Sequence, residues 1–578
     1  MSDAVHVEIE RKYDVDGQAS LPRLNGVGGV AQVRYRPPVA LEAVYFDTVD
    51  RDLSANGVTL RRRTGGTDAG WHVKIKSGEH RLELQSPLGG DDRNDGVPGP
   101  EGVRVPGRIL DLVQVHVRGK ALVPIARLNT LRSVVDLMDF HGRLLAEVCD
   151  DQVAAMSVGF RAESRVQHWR EWEVEVVDAD LLDSALKVRE VTGPADSAAL
   201  EAAATADGAA GDGHERRPAE EAASGSARFL DAVGTVLRNA GARPSAAGSK
   251  VEKVVGKAAD PLDPHALDGP DGSTRGLHAV LAKTVRTEMK VLKGWDPLVR
   301  RDVEDSIHQF RVVCRTLRST LQTYAPLLDP DATAGVNKDL RRLGRLLSVA
   351  RDAEVVRDQV DEKMADLPGG AAGPVADMVP GKTVKRLRKV KADEYTAAHD
   401  KLLKRMRTPW YFEVMDRLDA FARDLPLHPG LEAIQLVDAA KTMEPLAAEQ
   451  VDAVLDLAER AAAEQDPEHR IELMHEVRKE AKRLRYAVKA VQDATGLDLG
   501  AHLVARMKTA KKLQEALGEH RDSIMFQEHV LATAKSAARA GEDTFGYGML
   551  FAAEFGLQHR AEERASTLVE HLAQSHGQ

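Results

Sequence analysis

Two stretches of the C-terminal half carry one residue pattern, and this repetition limits the architecture more than any other feature. His308, Arg311, Arg315 and Arg318 in IHQFRVVCRTLRSTLQTY recur as His475, Arg478, Lys482 and Arg485 in LMHEVRKEAKRLRYAVKAV, 167 residues later. A second pair, KDLRRLGRLLSVARD and KTAKKLQEALGEHRD, follows in the same order at an offset of 170. There Lys338 matches Lys508, Arg341 matches Lys511, and Arg351-Asp352 matches Arg521-Asp522. Matched segments in one order imply duplication of a unit of several helices. At about 100° per residue, the first four residues fall within an arc of about 80°. Phe310, Val313, Cys314, Leu317, Leu321 and Tyr324 lie opposite. One such helix could be a core helix with a solvated basic face. Two, with the histidine in the same place, suit the wall of a basic channel for a polyanion. The histidines are expected to add charge below about pH 6.5.

The N-terminal part reads differently. Up to about residue 182, VHVEIERKYDV, VTLRRR, GWHVKIKSG, RLELQSPL, SVVDLMDF, RLLAEVCD and EWEVEVV alternate and are separated by turn residues. Residues 183–225 are dominated by Ala, Gly, Glu, Asp and Ser and read as a disordered insertion. ARFLDAVGTVLRNAGARPSAAGSK then suggests a short amphipathic helix. The Pro-, Gly- and Asp-rich segment 259–276 reads as a linker, and 277–578 as helical. The expected boundaries are therefore 1–258 and 277–578, an α+β chain of two domains.

Composition removes several classes. Cys149 and Cys314 cannot build a disulfide framework. No apolar run reaches the ~18 residues of a membrane-spanning helix. The start, MSDAVHVEIERKYDV, carries no secretory signal, so the expected compartment is the cytoplasm. A net charge of −10 and 4% aromatic residues disfavour nucleic-acid binding, though not a local basic pocket.

In the N-terminal part charges come in i, i+2 sets, which share one face of a strand. They are Glu8, Glu10 and Lys12; Arg34 and Arg36; Arg61 and Arg63; Lys74 and Lys76; Arg81 and Glu83; Glu171, Glu173 and Glu175; Glu147 and Asp151, four apart, share a face by the same rule. Each set alone fits a solvated outer face. Together they suggest a polar cavity, which is costly unless something binds there. Clustered Arg and Lys suit phosphate oxygens. Clustered carboxylates suit a hard divalent cation, Mg²⁺ or Mn²⁺.

Glu8-Ile9-Glu10-Arg11-Lys12 resembles the ExExK signature of the CYTH, or triphosphate tunnel metalloenzyme, superfamily. Tyr45-Phe46-Asp47-Thr48, Leu60-Arg61-Arg62-Arg63, Trp71-x-x-Lys74-x-Lys76, Arg81-x-Glu83, Arg132, the acids of 147–151, Glu173-Val174-Glu175 and Ser249-Lys250 follow in that family's order. The resemblance implies an eight-stranded antiparallel barrel with flanking helices, whose tunnel binds triphosphate-containing small molecules. Family activities include triphosphatase, thiamine triphosphatase, RNA triphosphatase and class IV adenylate cyclase. Carried over residue by residue, Glu8, Glu10, Glu147, Asp151, Glu173 and Glu175 would serve the metal. Arg34, Arg36, Arg61, Arg63, Lys74, Lys76, Arg81, Arg132 and Lys250 would hold phosphates, and Lys12 and Glu83 would be catalytic.

The helical half resembles the CHAD domain through HQFRVVCRTLR and HEVRKEAKRLR. This implies two four-helix units around a channel that binds inorganic polyphosphate through His308, Arg311, Arg315, Arg318, Lys338, Arg341, His475, Arg478, Lys482, Arg485, Lys508 and Lys511. The expected function is metal-dependent hydrolysis of tripolyphosphate or a related triphosphate, with capture of longer chains by the helices. The alternatives are a non-catalytic polyphosphate-binding protein and an adenylate cyclase.

Overall fold

Alternating segments fold as strands because successive side chains point to opposite faces. The computed structural model describes residues 5–77, 80–88, 97–98, 104–158, 166–177, 218–365, 367, 374–431 and 438–574. The chain divides into two units, Met1–Pro261 and Leu262–Gln578.

Unit 1 carries β1 (Val5–Val15), β2 (Gln32–Tyr35), β3 (Val39–Asp47), β4 (Val58–Thr64), β5 (Gly70–Ser77) and β6 (His80–Pro87). It continues with β7 (Val97–Pro98), β8 (Arg104–Val105), β9 (Val123–Met138), β10 (Leu144–Ser157), β11 (Val166–Val176) and β12 (Arg243–Pro244). Its helices are α1 (Asp52–Ala55), α2 (Gly107–Val117), α3 (Pro218–Asn239) and α4 (Lys250–Val255). Ten strands form one sheet in the order β10-β11-β1-β6-β5-β4-β3-β9-β2, with β12 on β1 and a further pairing of β9 with β10. The count exceeds the expected eight by two short strands, the four-residue β2 and the two-residue β12.

The register decides which residues share a face. Lys12 lies opposite Glu173 and Glu10 opposite Glu175. Glu147 lies opposite Glu175 and Asp151 opposite Glu171. Asp151 also faces Arg132, Arg61 faces Tyr45 and His72, and Lys74 faces Glu83. Directly opposed residues of an antiparallel ladder point the same way. The charged residues whose side chains are described therefore stand on one continuous face.

Many of the alternate residues are apolar and lie under helices. Phe46, Leu60, Trp71 and Val73 pack with Ile109, Leu112 and Val113 of α2. Tyr13, Val135, Val148, Trp172 and Val174 pack with Leu230, Val233 and Leu237 of α3. Each large side chain buried this way contributes roughly 1.5–3 kcal/mol. A third cluster lies on the charged side of the sheet, where Ala43, Tyr45, Leu128, Val153 and Ala155 meet Val251 and Val254 of α4. Ser249 caps α4, its hydroxyl accepting from the Glu252 N–H at 3.2 Å.

Asp47, within the expected signature, holds a turn. It accepts from the backbone N–H groups of Thr48, Leu53 and Ser54 at 2.7, 2.8 and 2.9 Å and so closes the entry to α1. Residues 183–217 of the expected insertion lie outside the described residues, whereas 218–225 begin α3.

Unit 2 consists of α5 (Leu277–Arg300), α6 (Ser306–Thr323), α7 (Pro330–Ala365), α8 (Pro374–Asp377), α9 (Gly381–Met406), α10 (Pro409–Arg423), α11 (Ala439–Ala463), α12 (Pro467–Thr495), α13 (Ala501–Arg539) and α14 (Phe545–Gln574). The two signature helices, α6 and α12, pack on each other, α7 packs on α6, and α13 on α12. Phe310, Val313, Cys314, Leu317 and Leu321 are buried, as their stripe requires. At the start of α12, Asp466 accepts from the Glu468 N–H at 2.9 Å, with Pro467 in the first turn. Gly496 ends the helix at φ 67°, a conformation natural to glycine.

Most of the segment read as a linker folds onto α5. Leu262 is buried, and Asp268 accepts from the Thr274 hydroxyl at 2.6 Å and from Lys283 at 2.5 Å. The Lys283 bond is the main cause that pushes the Asp268 carboxyl down to about 2.

Candidate functional site

At one end of the charged face the acids of three strands converge on α4. Lys250 Nζ lies 3.0 Å from Asp151, 2.7 Å from Glu171 and 2.7 Å from Glu173. Arg132 forks onto Asp151 at 2.7 and 2.6 Å and reaches Glu173 at 2.8 Å. Lys12 bridges Glu10, at 2.7 Å, and Glu173. Lys253 pairs with Asp14 and, at 2.5 Å, with Glu171. Burial opposes ionisation of Glu173, but Lys12, Lys250 and Arg132 outweigh it and hold the carboxyl well below its usual range. The same balance raises Lys250, where burial is outweighed by Glu173, Asp151 and Glu171.

Carboxylate oxygens of Asp151, Glu171 and Glu173 lie within 4.8 Å of one another, close enough to share one cation. The cation they share here is the Lys250 ammonium. Glu175 stands apart from it. Burial pushes its carboxyl up, and Glu10, Glu173 and Glu83 add to the shift against Lys74. Hard oxygen donors crowded with like charge fit a divalent metal.

Farther along the face the cations dominate. Burial, then Arg61 and Arg132, push Arg63 down to about 9. Arg61 lies 3.7 Å and Lys74 3.6 Å from Glu83. The Tyr45 hydroxyl accepts from Arg61 at 3.5 Å. Burial raises that phenol, but Arg61, Lys250 and Lys74 bring it below its ordinary value. Arg34 and Arg36 are held by the fully buried Asp136, and Arg36 also reaches Glu147 at 2.5 Å.

The structure thus brings Glu10, Lys12, Arg61, Arg63, Lys74, Glu83, Arg132, Asp151, Glu173, Glu175 and Lys250 onto one face. Glu147 lies on it too, opposite Asp136 and Glu175. For Glu8, Lys76 and Arg81 only the backbone is described; Arg81 pairs in register with both of the others. Sequence reasoning did not single out His72 or Asp136; it named Glu171 only within a charge set and Tyr45 only within a signature, without a role for either. Tyr45 and His72 share the register parity of the charged sets, which is the signal that could have found them.

In unit 2 the two basic stripes meet, because α6 packs on α12. Burial, then Arg315 and Arg478, push the Lys482 ammonium down to about 6. Burial, with Arg351, Arg315, Arg311 and Lys482 behind it, pushes His308 down to about 3. Arg311, Arg318 and Arg478 are lowered first by burial. Nε of Arg318 and of Arg478 has no hydrogen-bond partner among the described residues. Asp352 takes Arg311 at 3.3 Å, and Gln514 accepts from Arg485 at 3.0 Å. Tyr486 lies under Arg315 and Arg485, 5.8 and 4.5 Å from ring centroid to guanidinium. A Cβ on Gly518 would stand 3.1 Å from the Arg478 guanidinium, so glycine leaves that side chain room. His475 is lowered chiefly by burial. Lys338, Arg341, Lys508 and Lys511 are exposed; Arg341 adds to the shift of Arg318, and Lys511 faces Glu515 at 3.7 Å. Among the described residues no helix is long and apolar enough to cross a membrane.

Comparison with known proteins gives this arrangement its relatives. The CYTH domain model matches residues 6–191 and the CHAD domain model residues 283–531. An uncharacterized protein of Mycobacterium tuberculosis is 33% identical over 577 residues, covering 98% of this chain and 97% of its own length. Among solved structures, PptA from Streptomyces chartreusis is similar at 20% identity and a TM-score of 0.41, covering 51% of this chain and 99% of its own. The CHAD domain from the plant Ricinus communis is similar at 21% identity and a TM-score of 0.38, covering 51% and 92%. The end-to-end likeness and the order of the two matches show that the chain belongs to the family of proteins in which a CYTH domain is followed by a CHAD domain.

Proposed function

We propose that unit 1 hydrolyses a triphosphate with the help of a divalent cation and that unit 2 holds inorganic polyphosphate. The observation that carries the reading is charge segregation on one continuous strand face, with carboxylates around Glu173 and cations around Arg61, Arg63 and Lys74. In this reading β1, β6, β5, β4, β3, β9, β10 and β11 enclose a tunnel, and the pairing of β9 with both β3 and β10 supports closure.

Arg61, Arg63, Lys74 and Arg132 would grip the phosphate oxygens and orient the chain along the face. Glu10, Glu173 and Glu175, with Glu8 in register on β1, would hold Mg²⁺ or Mn²⁺, which supplies charge neutralisation and an activated water when bound. Lys12, bridging Glu10 and Glu173, fixes their carboxylates relative to the phosphate grip. Phosphate release from tripolyphosphate, ATP, thiamine triphosphate and long-chain polyphosphate, each with Mg²⁺ or Mn²⁺, tests the reading. No release from any of them overturns it. A binding role without turnover is the second reading, favoured by one contact set: Lys250 already neutralises Asp151, Glu171 and Glu173.

In unit 2 the two basic stripes would form a single binding wall built from two repeated units. Cations that repel one another while short of acceptors are stabilised by a polyanion. Salt-dependent binding of long-chain polyphosphate, lost on charge reversal at Arg311, Arg315, Arg478 and Lys482 together, tests this.

A further inference from the structure

His72 of β5 is 1% exposed and stands on the charged face. Its Nε2 lies 2.9 Å from the Asp68 carbonyl oxygen, which has no hydrogen to give, so Nε2 donates. Its other nitrogen, Nδ1, lies 2.6 Å from Glu83 Oε1. An unprotonated Nδ1 and an ionised carboxylate offer only lone pairs to each other. A contact this short therefore contains a proton.

We propose that His72 and Glu83 share one proton and that Glu83 delivers it to the departing phosphate oxygen. The proposal rests on the triphosphate-hydrolysis reading. Glu83 is then a catalytic residue, and His72, which stands behind it, is a positioning residue. The Glu83 side chain retains 14% exposure toward a face where Arg61 and Lys74 flank it. It is thus the member of the pair placed to meet a phosphate chain. Arg61 and Arg63 from β4 and Lys74 from β5 surround the pair, and His6 of β1 is the register partner of Glu83. An imidazolium here would be a further cation without water. Burial is the main cause that pushes His72 down to about 4, with Arg61 and Arg63 adding to it against the contact with Glu83, which raises it. In the step, water attacks phosphorus and the phosphoanhydride bond breaks. The leaving oxygen takes the proton of the pair, and the proton shed by the attacking water restores it.

Two readouts on the full-length protein separate this proposal from the reading beneath it. An infrared difference spectrum at neutral pH should show a carboxylic-acid stretch in wild type that is missing from Glu83→Gln and His72→Gln. Its absence in wild type overturns the shared proton, whatever the activity. In tripolyphosphate hydrolysis, Glu83→Gln should lower kcat by about 100-fold, within the range for a lost general acid. His72→Gln should shift the alkaline limb of the kcat profile to lower pH by about one unit while KM stays within about 3-fold. Wild-type turnover in Glu83→Gln overturns the delivery, as does an unmoved pH profile in a folded His72→Gln. Should His72→Gln not fold, Glu83→Gln decides alone. A carboxylic-acid band in a protein that hydrolyses no triphosphate overturns the hydrolysis reading and the delivery with it.

Discussion

Lys250 and Glu173 meet at 2.7 Å, tying the start of the last helix of unit 1 to the middle of its most acidic strand. The lysine touches two further buried carboxylates, so it neutralises a site as well as closing a pair. Removing one member of such a group leaves buried charge uncompensated, which typically costs about 3–5 kcal/mol. Lys250→Met should therefore lower the denaturant midpoint sharply. Mg²⁺ or Mn²⁺ should restore more stability to this variant than to wild type, because the freed oxygens become metal donors. Equal metal response in the two proteins would refute the assignment of Lys250 as the resident cation.

Glu175 behaves in the opposite way. Burial and neighbouring acids raise Glu175, so its ionised form works against the fold at neutral pH. Glu175→Gln should abolish phosphate release and leave the thermal midpoint unchanged or higher. A lower midpoint would mark Glu175 as structural.

Arg61→Ala should reduce kcat/KM for every triphosphate, by roughly 2–3 kcal/mol if one charged hydrogen bond is lost. Parallel assays on tripolyphosphate and ATP check it. A loss confined to the nucleotide would place Arg61 at a base pocket instead.

In unit 2 the Lys482 ammonium is pushed down to about 6, because burial and Arg315 withhold its proton, while burial raises the Glu288 carboxyl to about 8. His308, held near 3, stays neutral across the physiological range. A lysine depressed this far destabilises the free unit as pH falls from its ordinary value of about 10.4. The Lys482 contribution to stability should rise from about pH 6 toward 10, so stability measured over this range should rise less steeply in Lys482→Met than in wild type. A bound polyanion reverses the preference, so polyphosphate binding at pH 7 should take up protons. Calorimetry in two buffers of different ionisation enthalpy reads this directly, and Lys482→Met should abolish the difference.

Much of this was legible in the residues. The i, i+2 spacing placed Glu10, Lys12, Arg61, Arg63, Glu173 and Glu175 on one face because strand geometry leaves no other choice. The helical stripes likewise put Phe310 and Leu317 inside. What stayed hidden depends on partners distant in sequence. Asp136 is one acid in an apolar run until Arg34 and Arg36 reach it. His72 looks like any strand histidine until the Asp68 carbonyl fixes its tautomer. The segment 259–276 has the composition of a linker, yet Lys283 anchors Asp268 and the turn folds back. Lys250 lies beyond a stretch of weak sequence signal, so its contact with three carboxylates comes only from packing.

The helices that follow β11 also set where this protein can be cut. The stretch matched to the CYTH domain ends at residue 191, before α3 and α4. A fragment ending there would lose Leu230, Val233 and Leu237 from the outer cover and Lys250 from among the acids. It would expose one apolar flank and leave an unneutralised anionic pocket at once. The compact unit is the one that runs to Pro261, and the CYTH match stops short of the two helices that complete it.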